Sequence, residues 1–492
     1  MLRKIRIVLA TVVFLGITWL FLDFTGTAHH WVGWMPKLQL LEAILAGSLV
    51  VVIALAVLTL VFGRIYCSVI CPLGVMQDVF GWIGKKAKKN RYTYSKALSW
   101  LRYAVLVVFV AAHVAGLAIL VQLLAPYSAF GRIAANLLQP AWQAGNNVLA
   151  ELAERMDSYA FYHSDIWLRS AASVAIAAVT LVVLGVLAYR HGRTYCNTVC
   201  PVGTLLSLLS RFSLLRINFN TEKCRNCSLC TKNCKASCID FKTHTVDASR
   251  CVVCGDCIDA CKFGALKYDT SHLHGKKGTA TQPDPTKRAF LLTTALATTA
   301  AIAQKKEKLM DGGLAEIEDK VAPERQTPLT PPGSLSAQNM AKKCTGCQLC
   351  ISECPNQVLR PSGSLLTLMQ PIMSYERGYC RPECNRCSQV CPAGAIRPVD
   401  HEEKSSIQIG HAVWIKKNCV PLTDGVECGN CARHCPTGAI EMVMLNEEDD
   451  ESPMVPAINE SRCIGCGACE YVCPSRPFSA IVVEGHEVHR SI

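Results

Sequence analysis

Between Cys224 and Cys261 the chain reads CRNCSLCTKNC, sixteen further residues, and then CVVCGDCIDAC. This is Cys-x2-Cys-x2-Cys-x3-Cys written twice, and few structures can satisfy it. Three thiolates two residues apart wrap one corner of an iron–sulfur cube, and the fourth, three residues on, reaches the neighbouring cube. The spacing therefore groups Cys224, Cys227, Cys230 and Cys261 around one [4Fe-4S] cluster, and Cys251, Cys254, Cys257 and Cys234 around a second. Structural zinc also uses Cys-x2-Cys knuckles, but it needs two pairs rather than a third Cys at x2 and a fourth at x3, repeated without His.

Four more quartets follow. Cys344, Cys347, Cys350 and Cys354 keep the standard spacing, as do Cys463, Cys466, Cys469 and Cys473. Cys380, Cys384, Cys387 and Cys391 have one extra residue in the first gap, and Cys419, Cys428, Cys431 and Cys435 an eight-residue first gap. The spacing rule leaves open which quartet lends a fourth ligand to which. The six quartets take 24 of the 29 cysteines. So many thiols in cluster spacing exclude a disulfide scaffold and imply loading in a reducing compartment. Repeats this small bury little core, so the clusters must supply much of the folding energy.

The first 215 residues have another character. Apolar runs at Ile7–Leu22, Leu40–Phe62, Leu101–Leu124 and Ile166–Tyr189 predict four transmembrane helices. The second is about 23 residues, or roughly 35 Å of helix. Arg3 to Arg6, Lys85 to Arg91 and Arg190 to Arg193 share one side, which the positive-inside rule makes cytoplasmic. Residues 23–39 and 125–165 take the other. The formal charge of +12 is placed as membrane topology, which argues against a nucleic-acid partner.

GRIYCSVICPLG (63–74) and GRTYCNTVCPVG (192–203) match at Gly, Arg, Tyr, both Cys, Pro and Gly. Each follows an even-numbered span, so the membrane unit reads as two parallel repeats. Cys67, Cys71, Cys196 and Cys200 then converge and could hold a further Fe–S centre or form two redox dithiols. Cys238 is left over.

Residues 271–340 read as a linker with an embedded apolar segment, and EEDDE at 447–451 as a solvated loop. The expected organisation is a four-span membrane domain (1–215), a dicluster domain (216–270), the linker, and a four-cluster domain (341–485). The fold class is a four-helix transmembrane unit plus α+β bacterial-ferredoxin-like domains.

These motifs carry a resemblance. The first 270 or so residues resemble NapH/MauN-type membrane ferredoxins, with four spans, two Cys-x3-Cys-Pro elements and a dicluster block. Residues from about 286 onward resemble the NapG/MauM-type partner, so the chain looks like the two fused. The resemblance implies a quinol dehydrogenase component that carries electrons from the membrane quinone pool to a periplasmic cytochrome or reductase subunit. His113, the one His within a span, and His29 and His30, beside Trp31 and Trp34, are the candidate quinol contacts. A redox maturation factor for a partner metalloenzyme is the alternative. The chain departs from the family pattern at Lys235 and Lys262, which stand where Pro usually follows the fourth Cys. Thr286 to Ala303 resembles a twin-arginine export signal set inside the chain, with Lys287-Arg288 as its basic pair. It is expected to be an uncleaved anchor, with an inner-membrane location, a cytoplasmic N-terminus and a periplasmic four-cluster domain.

Overall fold

The structure, a computed structural model, describes residues 2–90, 92–270, 325–365, 367–446, 448 and 452–492. The twin-arginine-like segment, the rest of 271–324 and most of the acidic run 447–451 lie outside the described residues.

The first expected span is one helix, α1 (Leu2–Leu22). The second is broken: α2 (Leu40–Leu45) and α3 (Leu49–Phe62) meet at Gly47, whose φ of +71° suits a residue without a Cβ. After α4 (Pro72–Lys86), the third expected span is also two helices. They are α5 (Ser99–Val114) and α6 (Ala118–Leu124), parted at Gly116 with φ +75°. At Ala125 the backbone is extended, and the chain bends by 76° into α7 (Pro126–Ile133), a π-helical turn (Ala134–Leu138) and α8 (Gln139–Glu154). The fourth span is continuous as α9 (Ala171–His191), and α10 (Pro201–Ser210) follows the second Cys-x3-Cys element. Among the described residues two helices, α1 and α9, are thus long and apolar enough to cross a membrane, with the bent α6–α8 segment a third. The expected second and third spans are each interrupted at a glycine held at positive φ, which an apolar run does not reveal.

These breaks open a recess. Residues 345–353, which carry Cys347 and Cys350, are all buried in it. Ser128 on α7 donates to the Thr345 carbonyl, Asn136 in the π turn donates to Gln348 Oε1 at 2.6 Å, and Gln348 donates to Ser173 Oγ at 2.8 Å. Phe130 packs edge-on against Phe14 and Phe21 of α1, with ring centroids 5.5 and 6.2 Å away. Gly131 next to it lets the Cys347 carbonyl approach the helix backbone.

The ferredoxin-type parts are α+β. β1 (Arg216–Phe219) pairs antiparallel with β4 (Leu266–Asp269) around the hairpin of β2 (Ile239–Asp240) and β3 (Thr245–Val246). The larger domain holds three antiparallel pairs: β5 (Leu359–Pro361) with β6 (Pro371–Met373), β7 (Ile407–Trp414) with β10 (Ile481–Ser491), and β8 (Ile440–Met444) with β9 (Met454–Ile458).

The two ferredoxin blocks sit at opposite ends of the long helices. At the start of α1, Arg3 pairs with Asp256 at 3.0 Å and Asp259 at 3.3 Å; beyond its end, the Thr25 carbonyl accepts from Arg386 at 2.9 Å. α9 repeats the relation in reverse, beginning at Ser173 against Gln348 and ending where Arg193 N–H donates to the Lys235 carbonyl at 2.8 Å. A helix of 21 residues separates the ends by about 31 Å.

Candidate metal centres

The standard-spacing quartets share a backbone signature. In each, the second Cys lies between two residues at positive φ: Asn226 and Ser228, Val253 and Gly255, Gly346 and Gln348, Gly465 and Gly467. A β-branched residue such as Val253 (φ +51°) pays steric strain there, of order 1–3 kcal/mol. The turn curls three thiols around one volume. In the two loosened quartets the corresponding residues, Asn385 and Gly429, have φ −120° and −160°, so the longer first gaps do that work by another route.

In three small cavities the thiols of one quartet gather with the fourth cysteine of another. One is lined by Cys224, Cys227, Cys230 and Cys261 with Phe219, Phe241 and Phe263. Another brings Cys473 to Cys419, Cys428 and Cys431, and a third brings Cys435 to Cys463, Cys466 and Cys469. Electrostatics groups the remainder. Burial raises the Cys257 thiol, and Cys254, Cys251 and Cys234 raise it further. Burial pushes the Cys344 thiol up to about 12, with Cys391 adding to it, and Cys387 is raised by burial and then by Cys380 and Cys354. The thiols therefore group reciprocally within three neighbouring pairs of quartets. Backbone amides point at the shared thiols, from Ala265 to Cys261 (3.4 Å), Ala439 to Cys435 (3.2 Å), Ala480 to Cys473 (3.2 Å) and Ile396 to Cys391 (3.5 Å). Among the described residues no three Cys, His, Asp or Glu side chains close on a single point, as a mononuclear tetrahedral ion would require. Four thiols around a cavity instead suit a multi-atom cluster.

Buried cations test that fit. Arg132 is fully buried, donates one hydrogen bond to the Gln122 carbonyl, and has Nε and Nη2 without partners beside Cys347. Lys404, also buried, gives its ammonium to the Arg381 and Cys384 carbonyls beside Cys380. No carboxylate pairs with either among the described residues. An uncompensated buried charge costs several kcal/mol, and an anionic thiolate cluster next to each removes that cost.

Cys67, Cys71, Cys196 and Cys200 are all buried and lie close together. Two fully buried arginines cross between the repeats to hold them. Arg64 donates to the Cys196 carbonyl at 3.1 Å and to Asn197 Oδ1 at 2.8 Å, with Cys67 Sγ 3.8 Å away. Arg193 donates to the Cys67 carbonyl at 2.5 Å and lies 4.0 Å from Cys196 Sγ. The two glycines of the repeat make room: a Cβ on Gly74 would lie 2.6 Å from Arg193 Nη1, and one on Gly203 2.8 Å from Arg64 Nη2. The tyrosines reach the other way. Tyr66 Oη donates to Gln39 Oε1 at 3.0 Å and Tyr195 Oη to the Leu124 carbonyl at 3.0 Å. Those two segments lead into α2 and α7, which face the inserted 345–353 loop. The four thiols thus stand between the two ferredoxin blocks.

The sequence reading gives Arg64, Tyr66 and Tyr195 no role and Arg193 only a topological one, although their recurrence in both copies of the repeat is the available signal. Cys238 is not remote: its Sγ lies 3.5 Å from that of Cys234. His113 is half-buried on α5, and His29 and His30 sit in a short helix after α1; none lines the large cavity beside α1.

Comparisons with known proteins agree with this geometry. A model described as a 4Fe-4S binding domain matches residues 45–91 and 171–221, the two repeats. Models described as 4Fe-4S dicluster domains match 247–358 and 426–476. The ferredoxin-type protein NapH of Haemophilus influenzae is 25% identical over 47% of this chain and 69% of its own. The methylamine utilization ferredoxin-type protein MauN of Methylobacillus flagellatus is 27% identical over 48% of this chain and 76% of its own. MauM of the same organism is 28% identical over 33% and 70%. No solved structure matches. Thiol quartets, buried counter-charges and these relatives together show 4Fe-4S ferredoxin-type domains similar to those of NapH and MauN, with a role in electron transfer.

Proposed function

We propose that this protein spans the cytoplasmic membrane, oxidises quinol, and relays the electrons through six [4Fe-4S] clusters to an extracytoplasmic cytochrome or reductase. The observation that carries the reading is the placement of two ferredoxin blocks at opposite ends of α1, with four buried thiols between them. A [4Fe-4S] centre, when bound, exchanges one electron with its potential set by hydrogen bonds and solvent access. The cysteine quartets hold six such centres, and the amides on Cys261, Cys391, Cys435 and Cys473 favour the more negative, reduced state. Arg64 and Arg193 favour an anionic Fe–S centre on Cys67, Cys71, Cys196 and Cys200 over neutral dithiols, because Arg64 has no carboxylate partner among the described residues. Arg3, Arg6 and Lys85 gather at the dicluster end, which supports a cytoplasmic side there and an extracytoplasmic four-cluster domain. The test is anaerobic: purified protein in lipid is mixed with quinol, and cluster bleaching is followed in the visible. Reduction by quinol and reoxidation by a periplasmic cytochrome is the expected result; reduction by dithionite alone would remove quinol from the function.

A further inference from the structure

An open cavity of about 560 Å³ lies at the outer end of α1, between its last two turns and α8. Its walls are Leu15, Trp19, Leu22 and Trp142, and its floor is polar, with Asp23, Thr25 and Asn146. Trp19 and Trp142 are about half exposed, so the mouth opens through apolar side chains at the flank of a helix long enough to span a bilayer. Tyr162 braces two of the lining residues from outside the cavity. Its ring packs edge-on against Phe24 at 5.5 Å, and its carbonyl accepts from Asn146 at 2.9 Å. The floor is built and fixed: Asp23 Oδ1 accepts from the Thr25 amide (2.8 Å) and hydroxyl (2.6 Å), and Oδ2 accepts from the Ala28 amide (2.7 Å). Asp23 is the one ionisable side chain on the cavity wall. The floor also touches the four-cluster domain, because the Thr25 carbonyl accepts from Arg386, which precedes Cys387.

We infer that this cavity is the quinol site, with the isoprenoid tail leaving between Trp19 and Trp142 and the hydroquinone ring seated on Asp23 and Asn146 beside the quartet of Cys354, Cys380, Cys384 and Cys387. The inference rests on the quinol reading above and adds its location. The shape suits an amphipathic ligand: an apolar slot open to lipid ends in hydrogen-bonding groups. Asp23 Oδ2 carries one hydrogen bond, which leaves it free to accept from a hydroxyl. Oxidation breaks two O–H bonds and forms two C=O bonds. The two electrons would enter the cluster chain one at a time at the four-cluster domain, and the two protons would leave by way of Asp23 to the water on that side. His113, His29 and His30 take no part.

The test uses Thr18→Phe, which fills the slot, and Asn146→Leu, which removes a floor group without touching α1. The probe is a benzoquinone with a ten-carbon tail. Binding of its oxidised form to the full-length protein in detergent is read by quenching of tryptophan fluorescence, and reduction by its quinol is read by cluster bleaching. Both variants should keep the iron content of the parent and lose affinity by about ten-fold, the scale on which a pocket responds to one misfit group. The KM for quinol should rise in parallel, with dithionite bleaching unchanged. If both variants bind and react like the parent, the cavity is not the site and the quinol reading stands without it. If the parent protein is not reduced by quinol at all, the reading beneath this inference fails.

Discussion

Lys235 forms a 3.0 Å ion pair with Asp78. The lysine follows Cys234, in the position that proline usually takes, and the aspartate lies on α4 within the membrane repeat. Asp78 also pairs with Arg193 at 2.7 Å and Arg6 at 2.8 Å, so one buried carboxylate ties together the dicluster block, the second repeat and the N-terminus. Asp78→Asn should therefore cost about 3–5 kcal/mol, since it strands buried cations. Lys235→Met should cost less, because two guanidiniums still neutralise Asp78. Thermal unfolding of the two variants in the same detergent gives the order, and equal losses would contradict it.

Iron and acid-labile sulfide measured anaerobically should reach about 24 of each per chain from the six quartets, and about four more if the membrane thiols hold a cube. Replacing Cys67, Cys71, Cys196 and Cys200 together by Ser should lower the count by that last increment only. Stoichiometric zinc would sink the cluster reading.

Fourth-ligand exchange makes a counter-intuitive prediction. Cys391→Ala should perturb the cube on Cys344, Cys347 and Cys350, not that of its sequence neighbours Cys384 and Cys387. Cys261→Ala should likewise disturb the cube begun by Cys224. Electron paramagnetic resonance of partly reduced samples can resolve which signal changes. Cys238→Ala should retain all the iron, since both neighbouring quartets are complete, but shift the potential of the cube beside Cys234.

Pseudo-symmetry predicts paired phenotypes. Cys71→Ser and Cys200→Ser should block electron passage between the two blocks to the same degree while leaving the six cubes loaded. Gly74→Ala and Gly203→Ala should each destabilise by about 1–3 kcal/mol, because the added methyl meets a guanidinium and a backbone carbonyl that are both fixed. A strong effect in one copy and none in the other would break the symmetry.

Topology can be read from the C-terminus. An epitope added after Ile492, an exposed residue, should be reached by antibody on intact spheroplasts. Access only after the membrane is opened would put both ferredoxin blocks in the cytoplasm.

The cysteine spacing made the ferredoxin parts and their α+β character readable, because cluster binding fixes residue type and interval together. The repeat also exposed the membrane thiols. Other features were hidden for physical reasons. Gly47 and Gly116 sit in apolar runs that look continuous, and only their backbone angles reveal the breaks. The pairing of Cys354 with Cys380, or of Cys435 with Cys463, is a three-dimensional neighbourhood that linear spacing leaves open. Asp78 and Lys235 are 157 positions apart and carry no motif. Arg3 and Arg6 read as topology signals, and they are also specific partners of Asp256, Asp259 and Asp78.

The separation of the two ferredoxin blocks along α1 has an electrical consequence. On the proposed arrangement, an electron that passes from one block to the other crosses the voltage held by an energised membrane, and one elementary charge gains or loses about 2.3 kcal/mol per 100 mV in doing so. Energising the membrane would thus change which block holds the electrons, and the protein would be poised to sense the state of the membrane it serves.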